Sequence, residues 1–141
     1  MTKVFIDGSA GTTGLRIADR LAQRQDISLV KLPEELRKDP AAQKEAIFEA
    51  DIVFLCLPDA AAIEAVALAE GASAKIIDTS TAHRTNPNWA YGFAELSQAH
   101  RAAIENAKLV ANPGCHASGF IAGVYPLVAS GLLKKDFPLT A

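Results

Sequence analysis

The chain has 141 residues, of which half are hydrophobic and 21% are charged, and its formal net charge is −2. This composition is typical of a folded domain with its own core, and the lack of a basic excess argues against a nucleic-acid partner. The two cysteines, Cys56 and Cys115, fit neither a disulfide framework nor a metal-ligand spacing. We therefore expect no metal site, and a reducing compartment, the cytoplasm.

Short apolar runs alternate with helical patterns along the chain. Strands are predicted over residues 3–7, 27–32, 51–58, 74–80 and 108–112. Helices are predicted over residues 15–25, 41–50, 59–70 and 97–107, and from residue 113 to at least 125. This alternation predicts an α/β fold, a Rossmann-like parallel sheet with flanking helices. The nearly continuous apolar run at 51–58 is typical of a strand buried on both faces, so Cys56 is expected in the core and Asp59 is expected to cap the next helix.

The pattern predicts two domains. Residues 1–112 would form the Rossmann-like domain, and residues 113–141 the nucleophile helix and the incomplete start of a second α/β domain. The stretch 109–133 has no charged side chain, but its asparagine, prolines and glycines favour a buried segment over a membrane span. The start of the chain has too short an apolar run for a secretory signal, and residues 137–141 predict the opening of another strand.

A glycine-rich loop follows the first predicted strand. Its spacing, G-x-x-G-x-x-G, is one residue longer in its first half than the dinucleotide fingerprint G-x-G-x-x-G. The first glycine would allow a tight turn, the second would let the backbone approach a pyrophosphate, and the third would let helix pack on strand, with the phosphates at the helix N-terminus. A glycine-rich turn without a ligand is the alternative. The predicted cofactor-binding residues are Gly8, Ser9, Ala10, Gly11, Thr12, Thr13 and Gly14.

The choice between the two nicotinamide cofactors stays open at this point. Glu34 and Glu35 follow the second strand and suit the ribose of NAD, whereas Arg37 and Lys38 suit the 2′-phosphate of NADP.

Cys115 is the candidate nucleophile. Asn112 is a good N-cap residue and Pro113 suits the first helical position, which would put Cys115 in the first turn. The partial positive charge there stabilises a thiolate, and the free N–H groups can hold an oxyanion. Gly114 leaves the approach open. A thiol at the carboxyl end of a parallel strand, beside a dinucleotide site, suggests the covalent catalysis and hydride transfer of a phosphorylating aldehyde dehydrogenase; a small buried hydrophobic residue is the alternative.

The three histidines are interpreted as structural. His116 adjoins Cys115, but neighbours on a helix point about 100° apart. His83 lies in an irregular loop that can approach the site, and His100 lies on a predicted surface helix where it would be solvated.

Three motifs in order, GSAGTTG, DTSTAHR and ANPGCHASGFI, resemble the shorter branch of the N-acetyl-γ-glutamyl-phosphate reductase family. The resemblance spans residues 8–121. It implies a cytoplasmic, NADP-dependent enzyme of arginine biosynthesis that reduces N-acetyl-γ-glutamyl phosphate to the semialdehyde and releases phosphate. It implies that Cys115 forms a thioester that NADPH reduces. Arg84 would bind the substrate phosphate, and Asn112, Gly114 and Ser80 would make lesser contacts.

Members of that family are longer than this chain, and their catalytic histidine lies in a later domain. We therefore expect an amino-terminal portion of the enzyme, which would be a homo-oligomer at full length and which need not be active alone. Without the later domain, its apolar surface over residues 120–133 would be exposed. Two alternatives stay open. One is a nucleotide-binding module without catalysis, and the other is a relative of aspartate-semialdehyde dehydrogenase, against which the NPGCHASG motif argues.

Overall fold

One parallel sheet organises the chain in a computed structural model that describes residues 1–140. Its strand order is β2-β1-β3-β4-β6-β5, and all five neighbouring pairs are parallel. The strands are β1 (Thr2–Asp7), β2 (Ile27–Val30), β3 (Ile52–Leu55), β4 (Lys75–Asp78), β5 (Ala90–Tyr91) and β6 (Leu109–Ala111). The helices are α1 (Thr12–Leu21), α2 (Pro40–Glu49), α3 (Asp59–Leu68), α4 (Gln98–Asn106) and α5 (Cys115–Ala129). The predicted Rossmann-like parallel fold is confirmed.

The core lies between the central strands and the helices that cover them. Val4, Phe5 and Ile6 are buried one after another in β1, so this strand is covered on both faces. Val53 in β3 and Ile47 in α2 are completely buried. The helices contribute small residues to this core, chiefly alanines, which let their backbones approach the sheet closely.

The strand order predicts a ligand-binding position at the carboxyl end of β1. From β1 the chain moves outward to β2 and then returns past β1 to β3 on its other side. In such sheets, ligands bind beyond the carboxyl ends of the strands where the order reverses. The loop at residues 8–11 begins at this position, directly after β1.

The structure differs from the predicted strands in two irregular segments. The two-residue strand β5 was not predicted because its sequence lies in a turn-rich stretch, and it exists through its pairing with β6. Residues 137–140, predicted to open another strand, have no regular secondary structure and pair with none of the described strands; Ala141 lies outside the described residues.

The expected cap at Asp59 was also wrong. Pro58 is the N-cap of α3 and Asp59 is its first residue. The Asp59 carboxylate accepts hydrogen bonds from the backbone N–H and the hydroxyl of Thr81 instead. These bonds hold the pKa of Asp59 below its usual range.

Helix α5 is not buried as expected. None of its residues is buried in the structure of residues 1–140, and Phe120 is 40% exposed. The expected burial is therefore not seen within residues 1–140, whereas the expected exposure of the apolar residues after residue 119 is seen at Phe120. Among the same residues, no helix is long and apolar enough to cross a membrane. The boundary at residue 112 and the second domain stay predictions.

Candidate active site

The glycine loop is folded tightly against its neighbours. Gly8 has φ +81°, which favours glycine, and the Gly11 N–H donates to the Gly8 carbonyl at 3.0 Å. A Cβ atom at Gly8 would lie 2.3 Å from the carbonyl oxygen of Cys56, beyond the end of β3. A Cβ at Gly14 would lie 2.4 Å from the Gly8 carbonyl oxygen. The first and third glycines therefore let the turn, β3 and α1 lie in contact.

The start of α1 is open to an anion. Its N-cap is Gly11, which makes no side-chain cap, and the first turn has no acidic residue. The N–H groups of Thr12 and Thr13, in the first turn, have no intrahelical acceptor, and both residues are exposed. A Cβ at Gly11 would meet only the Gly8 carbonyl oxygen, at 3.4 Å. Free N–H groups at a helix start, beside an uncrowded backbone, suit a phosphate group.

A cavity of about 1040 Å³ opens beside this loop at the carboxyl ends of β1 and β2. Its volume suits a large cofactor. The cationic side chains in its lining are Lys31, Arg37 and Lys38, whereas Glu34 and Glu35 do not contribute to the lining. Of the residues considered for the ribose contact, Arg37 and Lys38 therefore line the cavity, and Glu34 and Glu35 do not.

Asp7 and Gln43 also line this cavity, and neither was predicted from the sequence. Burial raises the pKa of the Asp7 carboxyl, while hydrogen bonds from the Gly8 N–H and from Gln43 oppose the rise. The Gln43 amide lies 3.4 Å from Asp7 and donates to the Arg37 carbonyl at 2.9 Å. This amide ties the end of β1 to the segment with the basic side chains. Asp7 could have been found from the sequence, because it is an acidic residue at the end of an apolar strand and directly precedes a loop glycine.

Cys115 is exposed and is the first residue of α5. The N-cap is Gly114, so the prediction that Asn112 caps the helix and that Pro113 begins it was wrong. The Asn112 N–H donates to the Asp78 carbonyl at 2.8 Å and continues the pairing of β6 with β4, while its amide donates to the Pro113 carbonyl. The helix therefore starts two residues later than predicted, and the thiol still lies in its first turn.

Arg84 lies against the start of α5. Its Nε donates to the Asn112 carbonyl at 3.1 Å and its Nη2 to the Thr79 carbonyl at 3.0 Å. A Cβ at Gly114 would lie 2.6 Å from Nη1, which has no hydrogen-bond partner within residues 1–140. The structure therefore brings Arg84, Asn112 and Gly114 together next to Cys115, with one guanidinium nitrogen free.

Ser80 and His83 are held by a buried carboxylate instead of facing this group. The Ser80 hydroxyl donates to Asp78 at 2.7 Å and accepts from the Ala82 N–H. His83 Nδ1 lies 2.7 Å from Asp78, and its ring stacks on Trp89 with the ring centres 4.1 Å apart. These contacts support the structural interpretation of His83, and they hold Ser80 within the turn that precedes Arg84.

The other two histidines differ in exposure. His116 is exposed beside the thiol. His100 is half-buried, since its Nδ1 lies 2.8 Å from the Ser97 hydroxyl and its ring meets Tyr125 edge-on. The expectation of a solvated His100 was therefore wrong, because α5 lies against it.

Cys56 lies just past the end of β3 and is half-buried, not within the core of the strand as predicted. Its N–H donates to the Asp7 carbonyl at 2.8 Å. Burial raises the pKa of its thiol, and a hydrogen bond with Thr79 opposes the rise. The two cysteines therefore differ: Cys56 is partly covered, and Cys115 is open.

The loop and the thiol share one edge of the sheet. The loop follows β1, and the thiol follows β6. Three inter-strand steps separate these strands in the order β1-β3-β4-β6, which is about 14 Å at the usual strand spacing. One extended ligand can therefore reach from the loop toward the thiol.

The chain is similar to known proteins. The family model described as "Semialdehyde dehydrogenase, NAD binding domain" matches residues 3–107. N-acetyl-gamma-glutamyl-phosphate reductase from Brucella ovis is 53% identical over 98% of this chain, and the enzyme of that name from Chelativorans sp. is 54% identical over 98%. The chain spans 45% and 44% of their lengths.

Solved structures share the fold. Aspartate semialdehyde dehydrogenase from Francisella tularensis aligns over 93% of this chain and 42% of its own, with a TM-score of 0.68 and 19% identity. The Candida albicans enzyme, solved with NADP, aligns over 92% of this chain and 47% of its own, with a TM-score of 0.64 and 15% identity.

Proposed function

The chain belongs to the semialdehyde dehydrogenase family, and on that premise we propose that it supplies the cofactor site and the nucleophile of an NADP-dependent N-acetyl-γ-glutamyl-phosphate reductase. The reductases from Brucella and Chelativorans share more than half of its residues. The aspartate semialdehyde dehydrogenases share its fold at under 20% identity, so that alternative is not favoured. The substrate is a small acyl phosphate.

One observation carries this proposal. An exposed thiol at Cys115, the uncapped start of α5 and the free Nη1 of Arg84 lie together at the carboxyl end of the sheet. A thiol supplies the nucleophile, the helix start holds developing negative charge, and a guanidinium suits a phosphate. An acyl phosphate presents a carbonyl to the first two and an anionic leaving group to the third.

The acyl transfer follows from these positions. The Cys115 thiolate attacks the carbonyl carbon, and a carbon–sulfur bond forms. The N–H groups at the start of α5 hold the oxyanion. The bond from the carbonyl carbon to the phosphate oxygen then breaks, and its electron pair leaves with phosphate, which Arg84 holds. When NADPH is bound, it supplies the hydride that reduces the thioester.

This chain's residues fit a dinucleotide phosphorylated at the 2′ position. The glycine loop and the start of α1 would hold the pyrophosphate, and every residue from Gly8 to Gly14 is part of this proposed site. Lys31, Arg37 and Lys38 would hold the 2′-phosphate, since they line the adjoining cavity. This placement supports NADP over NAD.

We expect the double variant Arg37→Gln, Lys38→Gln to bind NADP⁺ at least about 10-fold more weakly and NAD⁺ almost as before. Each lost charge-assisted contact to a phosphate is worth about 1.5 kcal/mol or more. Titration calorimetry of the chain with both cofactors measures the difference. Lys44→Gln is the control, because Lys44 lies over the Phe48 ring on α2 and not in the cavity lining. Equal weakening for both cofactors would contradict the assignment of the 2′-phosphate site.

Covalent trapping tests the proposed reaction. The chain is incubated with N-acetyl-γ-glutamyl phosphate, released phosphate is counted, and the digested protein is analysed by mass spectrometry. We expect one phosphate released per chain in the first turnover and a hydroxylamine-sensitive acyl group on the peptide that contains Cys115. Acylation at Cys56, or phosphate release without an adduct, would count against the proposal.

A further inference from the structure

We propose that the buried Asp78 is a positioning residue for Arg84. It fixes the turn formed by residues 79–84 so that the guanidinium faces the start of α5. This inference rests on the proposed contact of Arg84 with the substrate phosphate, and it assigns to Asp78 no contact with the substrate.

The Asp78 carboxylate is committed to this turn. Asp78 is the last residue of β4 and is completely buried. One oxygen accepts from the Ser80 N–H at 2.9 Å, and the other accepts from the Ser80 hydroxyl at 2.7 Å and meets His83 Nδ1 at 2.7 Å. Burying a carboxylate costs several kcal/mol unless hydrogen bonds compensate. Within residues 1–140, the partners of the Asp78 carboxylate are Ser80 and His83, so its burial is compensated only when this turn keeps its shape.

The end of the turn is held at the core. The His83 ring stacks nearly parallel on Trp89, at an interplanar angle of 14°, and both side chains are buried. Asp59, at the start of α3, holds Thr81 from the other side. Arg84 follows His83 directly, so the direction in which its side chain leaves the turn is fixed by the residue that Asp78 holds.

The two carbonyls that accept hydrogen bonds from Arg84 lie next to Asp78. Thr79 is its neighbour in the chain, and the Asn112 N–H donates to the backbone carbonyl of Asp78 at 2.8 Å, a bond that does not involve the carboxylate. Arg84 binds the Thr79 and Asn112 carbonyls with Nη2 and Nε. With both nitrogens used, the planar guanidinium has one orientation, in which Nη1 lies beside Gly114.

His83 does not use Asp78 as a catalytic partner in this arrangement. Its ring is 8% exposed and its face is covered by Trp89. The group that reaches the surface near Cys115 is the Arg84 guanidinium. The network therefore acts through Arg84, and its loss should be seen as a loss of anion binding.

The test compares wild type, Asp78→Asn, Arg84→Gln and the double variant. Alkylation of Cys115 by iodoacetamide is followed by peptide mass spectrometry at increasing inorganic phosphate, and the phosphate concentration that halves the rate is measured. Independently, the Arg84 Nε–H signal is observed by NMR and assigned by its absence in Arg84→Gln. Asp51→Asn is the matched control, since this exposed carboxylate binds the Lys3 N–H at the opposite edge of the sheet.

We expect Arg84→Gln to raise the protecting phosphate concentration about 10-fold, and Asp78→Asn to raise it about 5-fold. The double variant should match Arg84→Gln alone, because residues that act through one contact do not add. The Arg84 Nε–H signal should be lost or broadened in Asp78→Asn and kept in Asp51→Asn. If Asp78→Asn does not fold, Ser80→Ala, which removes only one donor, should change both readouts in the same direction by a smaller amount.

Two results would overturn the proposal: an unchanged Arg84 Nε–H signal in every folded variant of Asp78 or Ser80, or effects of Asp78→Asn and Arg84→Gln that add. Absence of phosphate protection in the wild type has a different meaning. It would remove the proposed phosphate contact of Arg84, while the NMR signal would still decide whether Asp78 positions the guanidinium.

Discussion

Cys115→Ser should abolish acylation of the chain by N-acetyl-γ-glutamyl phosphate, with a rate loss on the order of 10³-fold or more. A serine hydroxyl has almost the same size as the thiol but needs a base to become a nucleophile. The buried histidine of the neighbouring turn, His83, is hydrogen-bonded to Asp78 and covered by Trp89, so it does not supply that base. Released phosphate and the mass of the Cys115 peptide measure the loss. Because Cys115 is exposed, we expect the free energy of unfolding of the variant to stay within about 0.5 kcal/mol of wild type.

Cys56→Ser is the matched control for this variant. It makes the same chemical change in a half-buried thiol whose pKa is raised by burial, and which therefore forms less thiolate at neutral pH. Acylation should persist in Cys56→Ser. The nucleophile assignment would fail if the two variants lost acylation equally, or if Cys115→Ser kept it.

The parts of the site that local sequence determines were predicted well. Gly8 and Gly14 occur in the loop because backbone atoms of neighbouring elements lie where their Cβ atoms would be. Alternating apolar and helical segments predicted the parallel sheet, since each segment has its own periodicity. The first-turn position of Cys115 was predicted, although the helix begins two residues later than the run of helix-start residues indicated.

Contacts between residues far apart in the chain account for what the sequence predicted wrongly or left open. Asn112 has the chemistry of a cap, but its N–H pairs with Asp78, which is 34 positions earlier in the chain (112 minus 78). The orientation of the segment after β2 decides whether Glu34 or Arg37 meets the cavity, and no local pattern determines that orientation. These choices depend on which strand ends become neighbours.

Gly8→Ala should destabilise the chain by about 3 kcal/mol and weaken dinucleotide binding. A φ of +81° costs a non-glycine residue about 1–2 kcal/mol. The added Cβ would also lie 2.3 Å from the Cys56 carbonyl oxygen, a backbone atom that moves only if β1 and β3 separate locally. Overpacking of this kind adds about 1–3 kcal/mol. Urea denaturation followed by circular dichroism gives the free energy of unfolding, and calorimetry with NADP⁺ gives the affinity.

Gly11→Ala separates the effect of the turn from the effect of losing any loop glycine. Gly11 has φ −77°, and its Cβ would meet only one backbone oxygen at 3.4 Å, so its stability should change by less than about 0.5 kcal/mol. Because that Cβ would extend toward the space assigned to the pyrophosphate, NADP⁺ affinity should still fall. A stable Gly8→Ala would contradict the close contact of the loop with β3. A Gly11→Ala variant with unchanged NADP⁺ affinity would remove the pyrophosphate from the start of α1.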